Sequence, residues 1–318
     1  MQILFHDTQD SFADWRTGIE AALPGATLRA WQPGDAAPAD YAMVWRPPAE
    51  LLAPRAGLKA IFNLGAGVDA LLDFEREQPG TLPAGVPLVR LEDTGMGQQM
   101  IEYVAYGVLR YLRRFDDYAA LQREHRWQPL DAHPRERFVV GVLGLGVLGA
   151  QVARALAGLG LTVRGFSRGA KSLDGVTTFH GSPRPGDAGF DAFSQGLKVL
   201  VNLLPSTPDT HGALHAGVFA QLAPGAFVIN VARGAHLVEP DLLDALASGQ
   251  LEGALLDVLH TEPLPAEHPF WAHPRITITP HVSAETERDG AVAQIAAKIR
   301  AFERGDAVTG IIDLARGY

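Results

Sequence analysis

An α/β fold with two doubly wound parallel sheets is expected of this protein, on three observations. Short apolar strand segments alternate with helical ones twice, first over residues 1 to about 92 and again over 138–279, the order that builds parallel sheets. Between the two series, from Gly97 to about Glu124, the apolar residues Met100, Val104, Val108, Tyr111, Leu112 and Phe115 recur at helical spacing and predict one long connecting helix. The second series opens on a strand-like run, 138–143, that ends in Gly144-Leu145-Gly146-Val147-Leu148-Gly149 and leads into an Ala-rich apolar helix.

In sequence order, the first series places strands at 3–5, 27–31, 41–45, 58–64 and 87–91, separated by short helical or Pro-broken segments. The second places them at 138–143, 161–166, 197–204, 226–231, 253–258 and 276–279. The Gly/Pro/Ser-rich stretch 169–189 reads as loop. After His281 a last amphipathic helix, with Val292, Ile295, Ile299 and Phe302 on one face, has no place in the second series and is expected to return to the first. The expected arrangement is therefore a Rossmann-type dinucleotide domain, 97–283, inserted in a flavodoxin-like substrate domain made of 1–96 and 284–318.

The 318 residues, 47% hydrophobic and 20% charged, suffice for two cored domains and are too apolar for general disorder. A net charge of −9 argues against a nucleic-acid partner, which needs clustered basic surface, and still allows a local basic pocket. Without cysteine there is no disulfide, thiolate nucleophile or cysteine metal site, which suits a reducing cytoplasm. No apolar run reaches the length of a membrane span, and the N-terminus reads as a first strand rather than a signal peptide. A cytoplasmic protein with no membrane partner is expected.

In the glycine-rich hexapeptide, Gly144 permits the tight turn, Gly146 lets the backbone approach a pyrophosphate, and Gly149 lets helix and strand pack closely. The helix N-terminus then faces the anion. An Asp or Glu about 20 residues past the first glycine would bind the ribose 2′-hydroxyl of NAD. Here that strand ends Arg164-Gly165-Phe166-Ser167-Arg168, and the nearest acid is Asp174. Arg168 and Lys171 can bracket a 2′-phosphate with Ser167 donating a hydrogen bond, against the alternative of two solvated loop charges, so NADP(H) is expected to be preferred and NAD(H) bound with lower affinity.

Three polar residues come after strand-like runs of the second series, where strand ends border the ligand crevice of an open α/β sheet. Arg233 comes after the apolar run 227–232 and can clamp a carboxylate bidentately. Glu262 precedes Pro263, which ends its segment and fixes a turn. His281 comes after Ile276-Thr277-Ile278-Thr279-Pro280 and precedes Val282-Ser283-Ala284, read as a helix start. Taken singly, Arg233 also fits a helix-capping or surface arginine, a lone acid such as Glu262 is more often a solvated loop acid, and a lone histidine such as His281 is more often structural. In the first series Trp45 and Arg46 end a strand and point to the substrate cleft, against the alternative of a core tryptophan beside a surface arginine. Gly65, Ala66 and Gly67 form a glycine-rich turn whose amides suit an anion.

At these residues the sequence resembles the D-isomer-specific 2-hydroxyacid dehydrogenases. The segments that carry the likeness are Asn230-Val231-Ala232-Arg233-Gly234, Asp257-Val258-Leu259-His260-Thr261-Glu262-Pro263 and Thr279-Pro280-His281-Val282, in this order after a central G-x-G-x-x-G. Trp45-Arg46-Pro47-Pro48, Leu64-Gly65-Ala66-Gly67-Val68-Asp69, the runs 90–97 and 113–118, and Ala315-Arg316-Gly317-Tyr318 resemble its glyoxylate/hydroxypyruvate reductase A branch. The resemblance implies reduction of a small 2-keto acid: His281 as proton donor, Glu262 paired with it, Arg233 clamping the substrate, and Gly65, Ala66 and Gly67 as a second carboxylate cradle. It further implies that Gly144 to Leu148, Leu204, Pro205, Thr210, Val231, Ala232 and Asp257 line the cofactor, that no metal is needed, and that the protein forms a homodimer. Trp45 would favour small acids such as glyoxylate and hydroxypyruvate. One departure is the run Asp93-Thr94-Gly95-Met96, where the broader family has an Asn. Formate- or phosphite-type dehydrogenation and dinucleotide sensing without catalysis are the competing activities on the same fold.

Overall fold

The computed structural model describes residues 1–8, 12–314 and 316–317; Ala315 and Tyr318 of the C-terminal motif lie outside the described residues. Contacts divide the polypeptide into two units, Met1–Met96 with Thr286–Tyr318, and Gly97–Glu285.

In the first unit, strands β1 (Gln2–Asp7), β2 (Thr27–Ala30), β3 (Tyr41–Trp45), β4 (Ala60–Asn63) and β5 (Leu88–Arg90) form a parallel sheet in the order β2-β1-β3-β4-β5. This is the flavodoxin-like order. Helices α1 (Phe12–Ala22) and α9 (Arg288–Arg304) pack together over one face. There Phe5 meets Trp15 of α1, and Tyr41 and Phe62 meet Phe302 of α9. On the other face Leu4, Ala42, Val44 and Ile61 pack against Leu51, Leu52 and, from α2 (Asp69–Glu77), Leu71 and Leu72. With both faces covered, the strands read as unbroken apolar runs instead of alternating ones.

The second unit carries α3 (Met96–Leu112), which starts at the unit boundary, and α4 (Phe115–Arg123). Its sheet comprises β6 (Val139–Leu143), β7 (Thr162–Ser167), β8 (Val176–His180), β9 (Val199–Asn202), β10 (Ala226–Asn230), β11 (Leu251–Leu256) and β12 (Ile276–Ile278). All seven strands are parallel, in the order β12-β11-β10-β9-β6-β7-β8, a Rossmann arrangement with one added strand. Val140, Val142 and Ile229 face α3 and α5 (Val147–Gly158), whereas Leu143, Leu200 and Val228 face α6 (Ala188–Ser194), α7 (Ala216–Phe219) and α8 (Glu239–Ser248). Among the described residues, no helix is long and apolar enough to cross a membrane.

Three local expectations are corrected. The helical run after Gly97 is two helices, because Arg114 adopts a left-handed φ of 59° and anchors its guanidinium on Asp117 and the Asp131 carbonyl. The stretch 169–189 contains β8, whose β-branched and aromatic residues pair with β7, and the start of α6, capped where Asp187 accepts from the Gly189 and Phe190 amides. The residues after His281 stay irregular, since Asp257 takes up their amides, and α9 begins only at Arg288.

Phe193 has no exposed surface and touches Phe166, Phe179 and Phe190. Phe193→Ala is expected to destabilise the second unit by about 3–5 kcal/mol, the usual cost of such a cavity, read by urea unfolding.

Candidate active site

Every candidate in the second unit lies at the carboxyl end of a parallel strand. β6 and β9 are neighbours although β7 and β8 separate them in sequence, so the glycine-rich turn after β6 sits where crossover direction reverses, the ligand position of such sheets. Gly144 has a φ of 108°, and a Cβ there would lie 2.5 Å from the Leu203 carbonyl oxygen. A Cβ on Gly149 would be 1.9 Å from the Gly144 oxygen, while one on Gly146, the N-cap of α5, would meet nothing within 4 Å. The turn is thus tight on its protein side and open at the helix N-terminus, which fits a pyrophosphate. Val147 and Leu148 form the first turn of α5.

At the end of β7, Arg168 is exposed and Lys171 reaches back so that its Nζ donates to the Leu145 carbonyl of the glycine-rich turn. Lys171 therefore stands at the rim of the dinucleotide turn, and Arg168 comes just after the end of β7. Ser167 is buried and donates to the Gly169 carbonyl at 2.8 Å. Leu204 and Pro205 come after β9; the Thr210 hydroxyl donates to the Pro205 carbonyl at 2.7 Å, holding that loop from beneath. Val231 and Ala232 are buried at the end of β10.

Arg233 is next, half-buried, its guanidinium donating to the Ala232 carbonyl at 2.6 Å. After β11, Glu262 accepts from the Leu259 amide at 3.0 Å through one oxygen and pairs with His281 Nδ1 at 2.9 Å through the other. Burial works to raise the Glu262 carboxyl; the bonds from His281 and Leu259, with the charges of His281 and Arg233, outweigh it and hold the group below its ordinary value. Glu262 is thus ionised across the neutral range.

His281 has a left-handed φ of 59°, a conformation costing of order 1–3 kcal/mol for a non-glycine residue unless its surroundings impose it. Asp257 imposes it. Its backbone carbonyl accepts from the His281 amide at 2.9 Å, and its buried carboxylate accepts from the amides of Val282 (2.8 Å) and Ser283 (2.9 Å) and from the Thr279 hydroxyl (2.6 Å). Thr279 is in turn bonded to the hydroxyl of Tyr103 on α3, and burial pushes that phenol up to about 12. Tyr103 and Thr279 escape sequence reasoning because 176 positions separate them.

In the first unit, Asn63 at the end of β4 is buried and donates to the carbonyls of Gly65 (2.9 Å) and Gly67 (2.8 Å). With those carbonyls turned onto Asn63, the amides of Gly65, Ala66 and Gly67 have no protein acceptor among the described residues. Trp45 lies over this turn, so closely that a Cβ on Gly65 would be 2.5 Å from its ring. Arg46, exposed and at a φ of 45°, stands 5.8 Å from the centre of that ring. Next to the turn, the Thr94 carbonyl of the 93–96 run accepts from the Glu287 amide at 3.2 Å. No His, Asp and Glu cluster suited to a metal ion occurs among the described residues.

A glycine-rich turn at the crossover point of a parallel sheet, with polar groups on the same strand ends, defines the class: an α/β protein built on a dinucleotide-binding domain. Residues 106–283 match the model of the D-isomer specific 2-hydroxyacid dehydrogenase NAD binding domain. Over 318 residues, the full length of each protein, the sequence is 55% identical to glyoxylate/hydroxypyruvate reductase A of Serratia proteamaculans and 53% to that of Yersinia enterocolitica. A D-isomer specific 2-hydroxyacid dehydrogenase from Xanthobacter autotrophicus, solved with NADPH and MES, superposes with a TM-score of 0.90 at 39% identity, over 100% of this protein and 99% of that one. An NADPH-dependent glyoxylate/hydroxypyruvate reductase from Sinorhizobium meliloti, solved with NADP and sulfate, has a TM-score of 0.88 at 35% identity over the same shares. The protein belongs to the D-isomer specific 2-hydroxyacid dehydrogenase family.

Asp257→Ala removes all three carboxylate hydrogen bonds. Since hydrogen bonds to charged groups contribute about 1.5–3 kcal/mol and about 1.4 kcal/mol is tenfold, amide exchange at Val282 and Ser283 is expected to quicken by roughly 10-fold or more. Unchanged exchange would mean that Asp257 does not hold the turn.

Proposed function

We propose that this protein reduces small 2-keto acids with NADPH, glyoxylate to glycolate and hydroxypyruvate to D-glycerate. The observation that carries the reading is the Glu262–His281 pair at 2.9 Å, on the same sheet edge as Arg233 and the glycine-rich turn. When bound, the dinucleotide supplies hydride from C4 of its nicotinamide to C2 of the acid. Glu262 orients the imidazole through Nδ1, and Nε2 gives a proton to the keto oxygen as the alcohol forms. Arg233 binds the substrate carboxylate and opposes charge developing on the keto oxygen. The amides of Gly65, Ala66 and Gly67 form a second carboxylate cradle, and Trp45 with Arg46 limits the acid to a short substituent on C2.

For the cofactor we assign the 2′-phosphate to Arg168 and Lys171, with Ser167 able to join once its hydroxyl leaves Gly169. Gly144, Leu145, Gly146, Val147 and Leu148 take the pyrophosphate, while Leu204, Pro205, Thr210, Val231, Ala232 and Asp257 border the rest. The names of the relatives, the NADP in related structures and the lack of an acid after β7 support this reading. We also assign the protein to the cytoplasm and to a homodimer. Tyr106 and Leu109 on α3, Phe115 and Tyr118 on α4, and Trp127 are large apolar residues left exposed, which supports a partner copy; sedimentation at twice the mass of the monomer checks it.

The deciding assay follows absorbance at 340 nm with NADPH and glyoxylate or hydroxypyruvate, and no loss with either acid would overturn the proposal. His281→Ala is expected to lower kcat by about 10² or more, the usual contribution of general acid–base catalysis. Retention of kcat removes His281 from the proton step. Arg168→Asp is expected to shift the NADPH/NADH ratio of kcat/KM toward NADH by at least about tenfold, one charged hydrogen bond's worth. An unchanged ratio would place the 2′-phosphate elsewhere.

A further inference from the structure

Three polar residues without solvent exposure stand beneath the Arg233 loop and have no part in the chemistry above. Asn202 ends β9, Asn230 ends β10, and His236 closes the 3-10 turn Gly234–His236; all three are 0% exposed. Their hydrogen-bond directions are set by one obligatory donor. The Leu204 N–H meets Asn202 Oδ1 at 3.2 Å, so the Asn202 amide nitrogen faces the other way. It donates one hydrogen to Asn230 Oδ1 at 3.0 Å and the other to His236 Nδ1 at 2.9 Å. Asn230 Oδ1 also accepts from the Ala232 amide at 3.3 Å, and its Nδ2 donates to the Arg233 carbonyl at 3.0 Å. The ring must therefore carry its lone pair on Nδ1 and its hydrogen on Nε2.

The same loop is braced from the side. A Cβ on Gly234 would lie 1.9 Å from the Leu259 carbonyl carbon, and the Leu259 amide is the donor to Glu262. The backbone that carries Arg233 is thus fixed against the backbone that holds Glu262, and the buried amide network sets its height. An apolar residue at 236 would leave one Asn202 hydrogen facing no acceptor. A buried donor in that state forces its amide to turn, and the turn passes to Asn230 and the Arg233 carbonyl.

We propose that His236 is a positioning residue for Arg233: as a neutral acceptor it orients Asn202 and Asn230, which hold the backbone so that the guanidinium meets the substrate carboxylate. The proposal rests on the reductase reading above. The test compares His236→Leu with His236→Asn, whose amide oxygen reaches the place of Nδ1. His236→Leu is expected to raise KM for hydroxypyruvate by about tenfold, the effect of one unsatisfied buried donor. His236→Asn is expected to restore most of that KM.

A wild-type KM in His236→Leu overturns the proposal, as does a failure of the Asn variant to restore KM. Long-range nitrogen–proton spectra of the unmodified protein supply a readout independent of variant folding. The Nε2–H tautomer of His236 is expected, and an Nδ1–H or doubly protonated ring overturns the network. Absence of keto-acid turnover in the unmodified protein would overturn the reductase reading alone, and the ring tautomer would still decide the network.

Discussion

A parallel strand cannot be joined directly to its neighbour; the backbone must first cross back over the sheet. Seven strands running one way therefore place seven carboxyl ends on a single edge, and the crossovers cover both faces with helices. Everything chemically notable in the second unit descends from that constraint. The glycine-rich turn, the Leu204 loop, Arg233, Asp257, Glu262 and His281 come from five different strands and nearly 140 positions of sequence, yet each lies just past a strand's carboxyl end. The apolar interior of the sheet is the price of this convergence: β9 and β10 are buried from end to end.

Having brought the groups to one edge, the fold still has to aim them, and it does so mostly with backbone. Arg233 is fixed through its own carbonyl, His281 through its amide and those of the next two residues, Glu262 through the Leu259 amide, and the Gly65 turn through two carbonyls. At Arg233, His281 and the Gly65 turn a buried Asn or Asp holds the backbone beside the group that the proposed reaction would use. Asp257 is the clearest case: one carboxylate takes up the turn after β12 and makes a left-handed histidine the stable state. Groups on such supports would need no large rearrangement in the proposed reaction, which is the advantage of preorganised sites.

The fold class was legible because apolar strand segments, glycine turns and helical spacing are local signals. The hexapeptide 144–149 and the apolar run into Arg233 announce strand-then-loop within a dozen residues. The illegible part is non-local. Asn63 reads as one more strand residue until its amide is seen on the Gly65 and Gly67 carbonyls. The Asn202–Asn230–His236 set draws on two strand ends and a 3-10 turn, and Tyr103 meets Thr279 only because α3 lies on the sheet. β8 was hidden for a different reason: five residues flanked by Gly, Ser and Pro carry too little period to separate a strand from a loop. The break at Arg114 was hidden too, since helical spacing continues through it while an Arg–Asp pair turns the backbone.

The host of the inserted unit is itself split, and this has a bearing on how the polypeptide comes to be folded. α9 covers one face of the first sheet, and it is made after all of the second unit. During synthesis, residues 1–96 wait with Tyr41 and Phe62 lacking their cover, whereas residues 97–285 hold every strand of their own sheet before α9 exists. The inserted unit can thus complete itself as a continuous piece, and the host closes last around a contact that joins the two ends of the sequence. A nascent polypeptide that has emerged from the ribosome only as far as about residue 285 would carry a finished nucleotide-binding fold and an open, apolar sheet.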